Sequence, residues 1–272
     1  MSMSFRKNHI KPKIKDIKRK KLTHQPFFWL GLLLLLVIIS IFYLLLFSKF
    51  FQISHIKVSG YKSVDNASVE NIVWNHSYKN FFSAGIVNID TQSIFILSKE
   101  SLSRKIKSTF PIIKNIKIKK SLPNLVDLVI EERTPFAVFC QNENNSCFAI
   151  DEEGVIFEKI ESIPENTMTL RISSQKDISL GEQAILQKTI NSVSKIRENL
   201  KNNFKIDVRD VTISQTIDVK TFEGWTVYFD AESDIDSQIT KMNALLSGEI
   251  TESERKNIEY VYLQYKDRAY YK

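Results

Sequence analysis

The sequence has little of what enzymes use. Its 272 residues include four His, two Cys and seven Gly. His9 and His24 lie in the first 26 residues, and His55 and His76 stand far from any Cys or carboxylate cluster at ligand spacing. No zinc-binding pattern is therefore present. No HExxH, GxSxG, P-loop or GxGxxG motif occurs. A serine triad needs a base, and only His55 and His76 follow the long apolar segment. Glu131-Glu132 and Asp151-Glu152-Glu153 are adjacent carboxylates. Strand and turn ends commonly carry solvated acids, so these do not point to glycoside hydrolysis. Neither a catalytic constellation nor a cofactor or metal site is expected, and the chain reads as a non-enzyme.

Charge is missing from one place in particular. Phe27 to Phe47 reads FFWLGLLLLLVIISIFYLLLF without a single charged residue. As a helix it would be roughly 30 Å long, the thickness of a bilayer's hydrocarbon core. A cleaved signal peptide has an apolar core of about 7–15 residues and a small-residue cleavage site. Here the core is longer and is followed by Ser48-Lys49-Phe50-Phe51-Gln52. Trp29 and Tyr43 sit near its two ends, as interfacial aromatic anchors do. A permanent single span is expected over 27–47.

What is abundant lies on one side of that span. Residues 1–26 hold Arg6, Lys7, Lys11, Lys13, Lys15, Lys18, Arg19, Lys20 and Lys21 against Asp16, a net +8 in a chain whose total is +7. Residues 27–272 therefore sum to −1. Basic flanks remain cytoplasmic, so the tail is expected inside and the remainder outside. The pI near 9.2 would suggest nucleic acid, but the excess is confined to the tail. No nucleic-acid partner is expected, and the tail reads as an orientation signal.

Two folded units fit the rest. In the first, Ile53, His55 and Lys57 alternate with Ser54, Ile56 and Val58 in a strand closed by Gly60. Ser63-Val64-Asp65-Asn66 opens a helix with Val69, Ile72 and Val73 on one face. Asn80 to Asn88 is loop-like. Ser98 to Phe110 is a second helix, ended by Pro111, and strands follow around Ile112–Ile118 and Leu125–Glu131. The second unit is mostly strand, with a hairpin at 135–140 and 147–150 and a strand at 155–157. A helix over about 182–202 leads to strands at 205–213, 216–222 and 225–230. A helix capped by Asp234 and ended by Gly248 follows, then a closing strand at 258–265 and a short one at 268–271. There is no internal repeat. Cys140 and Cys147 flank a polar loop in the hairpin, where they would sit opposite one another. We expect a disulfide as local bracing; a pair of free thiols is the alternative.

Phe51 to Gly60, Leu122 to Phe139 and Ile258 to Lys272 together resemble the FtsQ/DivIB family of bacterial cell-division proteins. Phe51 to Gly60 (FQISHIKVSG) looks like the opening of a POTRA domain, whose β-α-α-β-β order the first unit matches. Leu122 to Phe139 (LPNLVDLVIEERTPFAVF) is similar to the family's P-x-x-L-x-I-x-V-x-E-R-x-P-x-A junction. Ile258 to Lys272 (IEYVYLQYKDRAYYK) resembles the ending I-D-L-R-Y-x-D-R-A-Y, with Tyr262 in place of the usual Asp and Gln264 in place of the usual Arg. The family's charged contact through that Arg is not expected here.

The resemblance implies an α+β architecture. A cytoplasmic tail (1–26) and one transmembrane helix (27–47) precede a POTRA domain (51–131) and a mainly antiparallel β domain with flanking helices (132–272). It also implies an essential, non-enzymatic divisome scaffold that binds FtsB and FtsL and links ring assembly to septal peptidoglycan synthesis. The FtsB-like partner would meet the carboxyl-terminal edge at Tyr265, Asp267, Arg268, Ala269, Tyr270 and Tyr271. Tyr and Arg are enriched at interfaces, and an exposed edge accepts a partner strand. Abundant Lys, Ile and Asn suggest an AT-rich genome, and the ending resembles proteobacterial members. The expected setting is therefore the inner membrane at the division septum, with the carboxyl-terminal domain in the periplasm. The alternatives are a membrane-anchored wall hydrolase and a POTRA-containing secretion or assembly component.

Overall fold

An unbroken run of apolar residues makes the first helix, α1 (Pro26–Phe47), with Pro26 at the start, where its missing N–H costs nothing. In the computed structural model it is the one helix, among the described residues, long and apolar enough to cross a membrane. The structure describes residues 26–84, 87–141, 146–172, 178–265 and 268–272. Tail residues 1–25 and Asp267 lie outside them.

The last carbonyls of a helix have no intrahelical donor. Here the following domain supplies donors. Leu46 O accepts from Gln52 Nε2 at 2.9 Å and from the Thr91 hydroxyl, and Leu45 O accepts from Ser93 Oγ at 2.8 Å. Helix α1 and the first domain are thus joined by hydrogen bonds as well as by the chain.

That domain contains β1 (His55–Ser59), α2 (Asn66–Ser77), β2 (Lys79–Ala84), β3 (Val87–Thr91), α3 (Lys99–Thr109), β4 (Ile113–Ser121) and β5 (Leu125–Glu132). Its main sheet has the order β1-β5-β4, with β1 parallel and β4 antiparallel to β5. Asp65 and Ser98 start the helices by accepting the N–H groups of Ser68 and Ser101. Val69, Val73, Leu102 and Ile106 then pack on Ile113, Val126, Leu128 and Ile130. Gly60 ends β1 at φ +83°, where a Cβ would lie 2.3 Å from Ile130 O; only glycine fits. One expectation is corrected. Residues 80–84 and 87–88 lie in the antiparallel pair β2–β3, whose polar residues (Asn80, Ser83, Asn88) and register shift hide the period-2 pattern. The order is therefore β-α-α-β-β with this strand pair inserted between the helices.

The second domain contains β6 (Ala137–Cys140), β7 (Cys147–Ile150), β8 (Ile156–Ile160), β9 (Thr169–Ile172) and α4 (Gln187–Phe204). They are followed by β10 (Val208–Ile213), β11 (Thr216–Thr221), β12 (Thr226–Asp230), α5 (Ile235–Gly248), β13 (Tyr260–Tyr262) and β14 (Tyr270–Tyr271). One nine-stranded sheet runs in the order β14-β13-β12-β11-β10-β9-β6-β7-β8. Ile190, Val193, Ile196 and Leu200 of α4 join Ile239, Met242, Leu245 and Leu246 of α5 in one core over the sheet, with Trp225, Val227 and Phe229.

Several sequence boundaries shift. Strand β9 was not foreseen: it is four residues long and pairs in parallel with both β6 and β10. The helix expected from Glu182 starts at Gln187, because residues 181–185 strap β8 instead. Ile156 N–H donates to Glu182 O, and Gly181 N–H donates to Ile156 O. Gly248 lies inside α5, and Glu249 is the cap. The closing strand is only Tyr260–Tyr262, and β14 pairs antiparallel alongside it.

The two domains meet at Arg133, which follows β5. Its Nε donates to Pro111 O at 3.2 Å, and its Nη1 pairs with the buried carboxylate of Asp151 and with Glu153. Beside it, Glu132 accepts from the N–H groups of Lys62, Ser63 and Val64 at 2.6–3.0 Å. Burial would raise the Glu132 carboxyl, but these donors outweigh it and hold the group below its ordinary range.

Candidate partner-binding edge

Strand β14 is the last of the sheet, and its register decides what it offers. It pairs antiparallel with β13, Tyr262 opposite Tyr270 and Val261 opposite Tyr271. One step further along, Lys272 N–H donates to Tyr260 O at 3.2 Å, and Tyr260 N–H to Lys272 O at 3.4 Å. In an antiparallel ladder, hydrogen-bonded and non-hydrogen-bonded pairs alternate. Since Tyr260 and Lys272 form a bonded pair, Val261 and Tyr271 form a non-bonded one. The N–H and C=O of Tyr271 therefore point away from β13, to the open side of the sheet. Those of Tyr270 point inward.

The other end of the sheet is not equally open. The start of β8 is covered by the 181–185 strap, with a further bridge between Val155 and Gln183.

The side chains around β14 are aromatic. Tyr265 is half exposed and packs edge-on against Tyr270, with ring centroids 5.3 Å apart. Tyr262 stacks on Tyr228 at 4.6 Å and leans on Tyr260 at 4.8 Å. A tyrosine surface thus extends from β12 to the edge. The Tyr228 hydroxyl is pushed up by burial first, then by Tyr262 and Asp218, so it stays a neutral donor at ordinary pH. Lys241 Nζ donates to Leu263 O at 2.7 Å and to Tyr265 O at 2.5 Å, tying residues 263–265 to α5. Lys272 pairs with Glu259 at 3.2 Å, and that hydrogen bond holds its ammonium above the ordinary range. The terminus is thereby fastened to β13.

Of the residues named from sequence, Tyr265, Arg268, Ala269, Tyr270 and Tyr271 come together here. Arg268 is exposed and Ala269 half-buried. Tyr265 lies outside both β13 and β14, which corrects the closing strand expected at 258–265. Tyr228, Tyr260, Tyr262 and Lys241 were missed. Tyr260 and Tyr262 at i, i+2 on the closing strand were a usable signal, whereas the registration of Tyr228 beside Tyr262 was not. In the hairpin away from this edge, Cys140 lies opposite Cys147, Cα–Cα 4.1 Å, and the two are joined by a disulfide.

Residues 51–133 match the family model described as POTRA domain, FtsQ-type. The cell division protein DivIB of Clostridium acetobutylicum is 25% identical to this chain over 229 residues, which span 82% of this chain and 83% of that protein. Together these similarities support the FtsQ/DivIB family. The similarity to DivIB is long enough to reach into both domains, whereas the family-model match is confined to residues 51–133. They support a role in cell division, and α1 is, among the described residues, the one helix consistent with a single membrane span.

Proposed function

We propose that this protein is a non-enzymatic scaffold of the division machinery whose carboxyl-terminal edge captures an FtsB-like strand. In this reading α1 stays uncleaved in the inner membrane at the septum, with the basic tail in the cytoplasm and both domains outside. Residues 51–131 serve as the POTRA module, residues 132–272 carry the partner site, and FtsL joins through the FtsB-like partner. The single observation that carries the reading is the open β14 edge, with the backbone of Tyr271 facing outward beside an exposed tyrosine surface. Backbone ladder bonds would supply affinity with little dependence on partner side chains. Tyr265 and Tyr270 would supply rigid contact area, and Arg268 a charge-assisted hydrogen bond. Cys140 and Cys147 are assigned to bracing, not to redox work.

The test is a titration of the full chain, reconstituted in lipid nanodiscs, with the FtsB–FtsL pair of the same bacterium. Truncation after Tyr265 removes β14. It should abolish binding while the far-ultraviolet circular dichroism keeps its shape. Undiminished binding by the truncated chain would overturn the assignment and move the site to the POTRA domain.

A further inference from the structure

The end of the POTRA domain nearest the membrane has a composition of its own. Its position follows from backbone register. His55 of β1 lies opposite Leu125 of β5, and Leu125 lies opposite Ser121 of β4. The 121–124 turn is therefore level with the start of β1. Ser54 N–H and His55 N–H both donate to Asn124 O, at 3.0 and 3.3 Å. The segment before α3 lies at the same end: Phe95 packs against Phe51 at 5.3 Å, and Lys120 Nζ reaches Phe95 O at 3.4 Å. The bonds from Gln52, Thr91 and Ser93 to the last carbonyls of α1 fix this end to the helix terminus.

Apolar side chains point outward there. Phe50 is 64% exposed, Phe95 44% and Leu122 64%. Cations stand among them: Lys49 three residues before Gln52, Lys99 at the start of α3, and Lys120 at the end of β4. Among the described residues neither Lys99 nor Lys120 has an ion-pair partner. Burial lowers the Lys120 ammonium pKa, and the charge of Lys99 lowers it further. An anion between the two would relieve both costs. Residues 51–133 as a whole hold twelve Lys or Arg against seven Asp or Glu, while residues 134–272 hold sixteen against twenty-three. Apolar and aromatic residues interleaved with Lys are the composition of surfaces that lie in a lipid interface.

We propose that this foot of the POTRA domain docks on the outer leaflet, with Phe50, Phe95 and Leu122 at the level of the headgroups and Lys49, Lys99 and Lys120 on the phosphates of anionic phospholipid. The occupant follows from place: the patch begins three residues after the end of α1, so a bilayer that holds α1 meets it first. The docked foot sets the direction in which the domains leave the membrane. The inference rests on α1 spanning the bilayer.

The test uses the full chain in nanodiscs, after alkaline carbonate washing of proteoliposomes has shown whether the chain is integral. Extraction by carbonate would remove the spanning reading itself. Leu122→Cys and, as a control at the far end of α3, Ser108→Cys are labelled with an environment-sensitive dye. The native cysteines are tied in their disulfide. In discs containing phosphatidylglycerol, the dye at 122 should be blue-shifted and quenched by headgroup-level spin-labelled lipid, and the dye at 108 should not. Pure phosphatidylcholine, or the pair Lys99→Gln and Lys120→Gln, should cut the shift at least by half. A carbonate-resistant chain whose dye at 122 reports water, as at 108, would overturn the proposal and leave the patch to an acidic protein. A shift at 122 indifferent to lipid charge and to both lysines would overturn the phosphate contacts.

Discussion

Strand β4, at one edge of the POTRA sheet, carries Lys114, Lys117, Lys119 and Lys120 along nine residues. Strand β14, at one edge of the second sheet, carries Tyr270 and Tyr271. Both leave backbone groups unpaired by their own sheet. Lysines along an edge must be desolvated or brought face to face before another strand can pair, so they protect it. Tyrosines offer rigid, amphipathic area and little electrostatic resistance. The difference teaches that an open edge is a site only where its side chains permit approach. On the function proposed above, the two domains would have different tasks, the basic edge guarded and the tyrosine edge receptive.

The comparison needs the domains to be separate folds held in fixed relation, and Arg133 holds them. Arg133→Ala would strand the buried Asp151 carboxylate and free Pro111 O. A loss of about 3–5 kcal/mol is expected for breaking a buried pair, read from denaturant unfolding, with the two domains unfolding in separate steps. The disulfide acts inside the β domain only. Cys140→Ala with Cys147→Ala should cost about 2–3 kcal/mol and leave POTRA unfolding unchanged.

Glu132 acts inside POTRA. Glu132→Ala should cost about 1 kcal/mol, modest because water screens the site. Its folded pKa lies below the ordinary glutamate value of 4.5. Its contribution is therefore present above that value and is lost as pH falls through the lower, folded one. Wild type should lose POTRA stability on acidification below about pH 4.5, and the variant should lose less. The smallest effect on stability, within about 0.5 kcal/mol, is expected for Lys117→Thr with Lys119→Thr. That pair sharpens the comparison most, because the unguarded β4 edge should now self-associate in sedimentation while wild type does not.

Much of this was legible in the sequence because local signals were strong. Asp65, Ser98 and Asp234 cap helices that appear where the caps put them, and the charge-free run gives α1. The chain ending, with tyrosines at 265, 270 and 271, marked the edge. What was not legible depended on distant partners. Strand β9 exists because β6 and β10 flank it, and its four residues carry no pattern of their own. Residues 182–185 look helical, but they meet the side of β8 that β7 leaves open and strap it. Nothing local told that Tyr265 would leave the strand, or that Tyr271 rather than Tyr270 would present its backbone outward. That choice is set by the pairing of Tyr260 with Lys272.

The direct test of strand addition at β14 separates the backbone of residue 271 from its side chain. Tyr271→Val keeps the N–H and loses the ring; Tyr271→Pro loses both the ring and the outward N–H, while every bond to β13 remains. Titrated as full chains in nanodiscs with the FtsB–FtsL pair, Tyr271→Val should weaken binding by about tenfold, the equivalent of about 1.4 kcal/mol. Tyr271→Pro should abolish it at unchanged melting temperature. Equal binding by the valine and proline chains would show that no ladder forms there and would contradict the account.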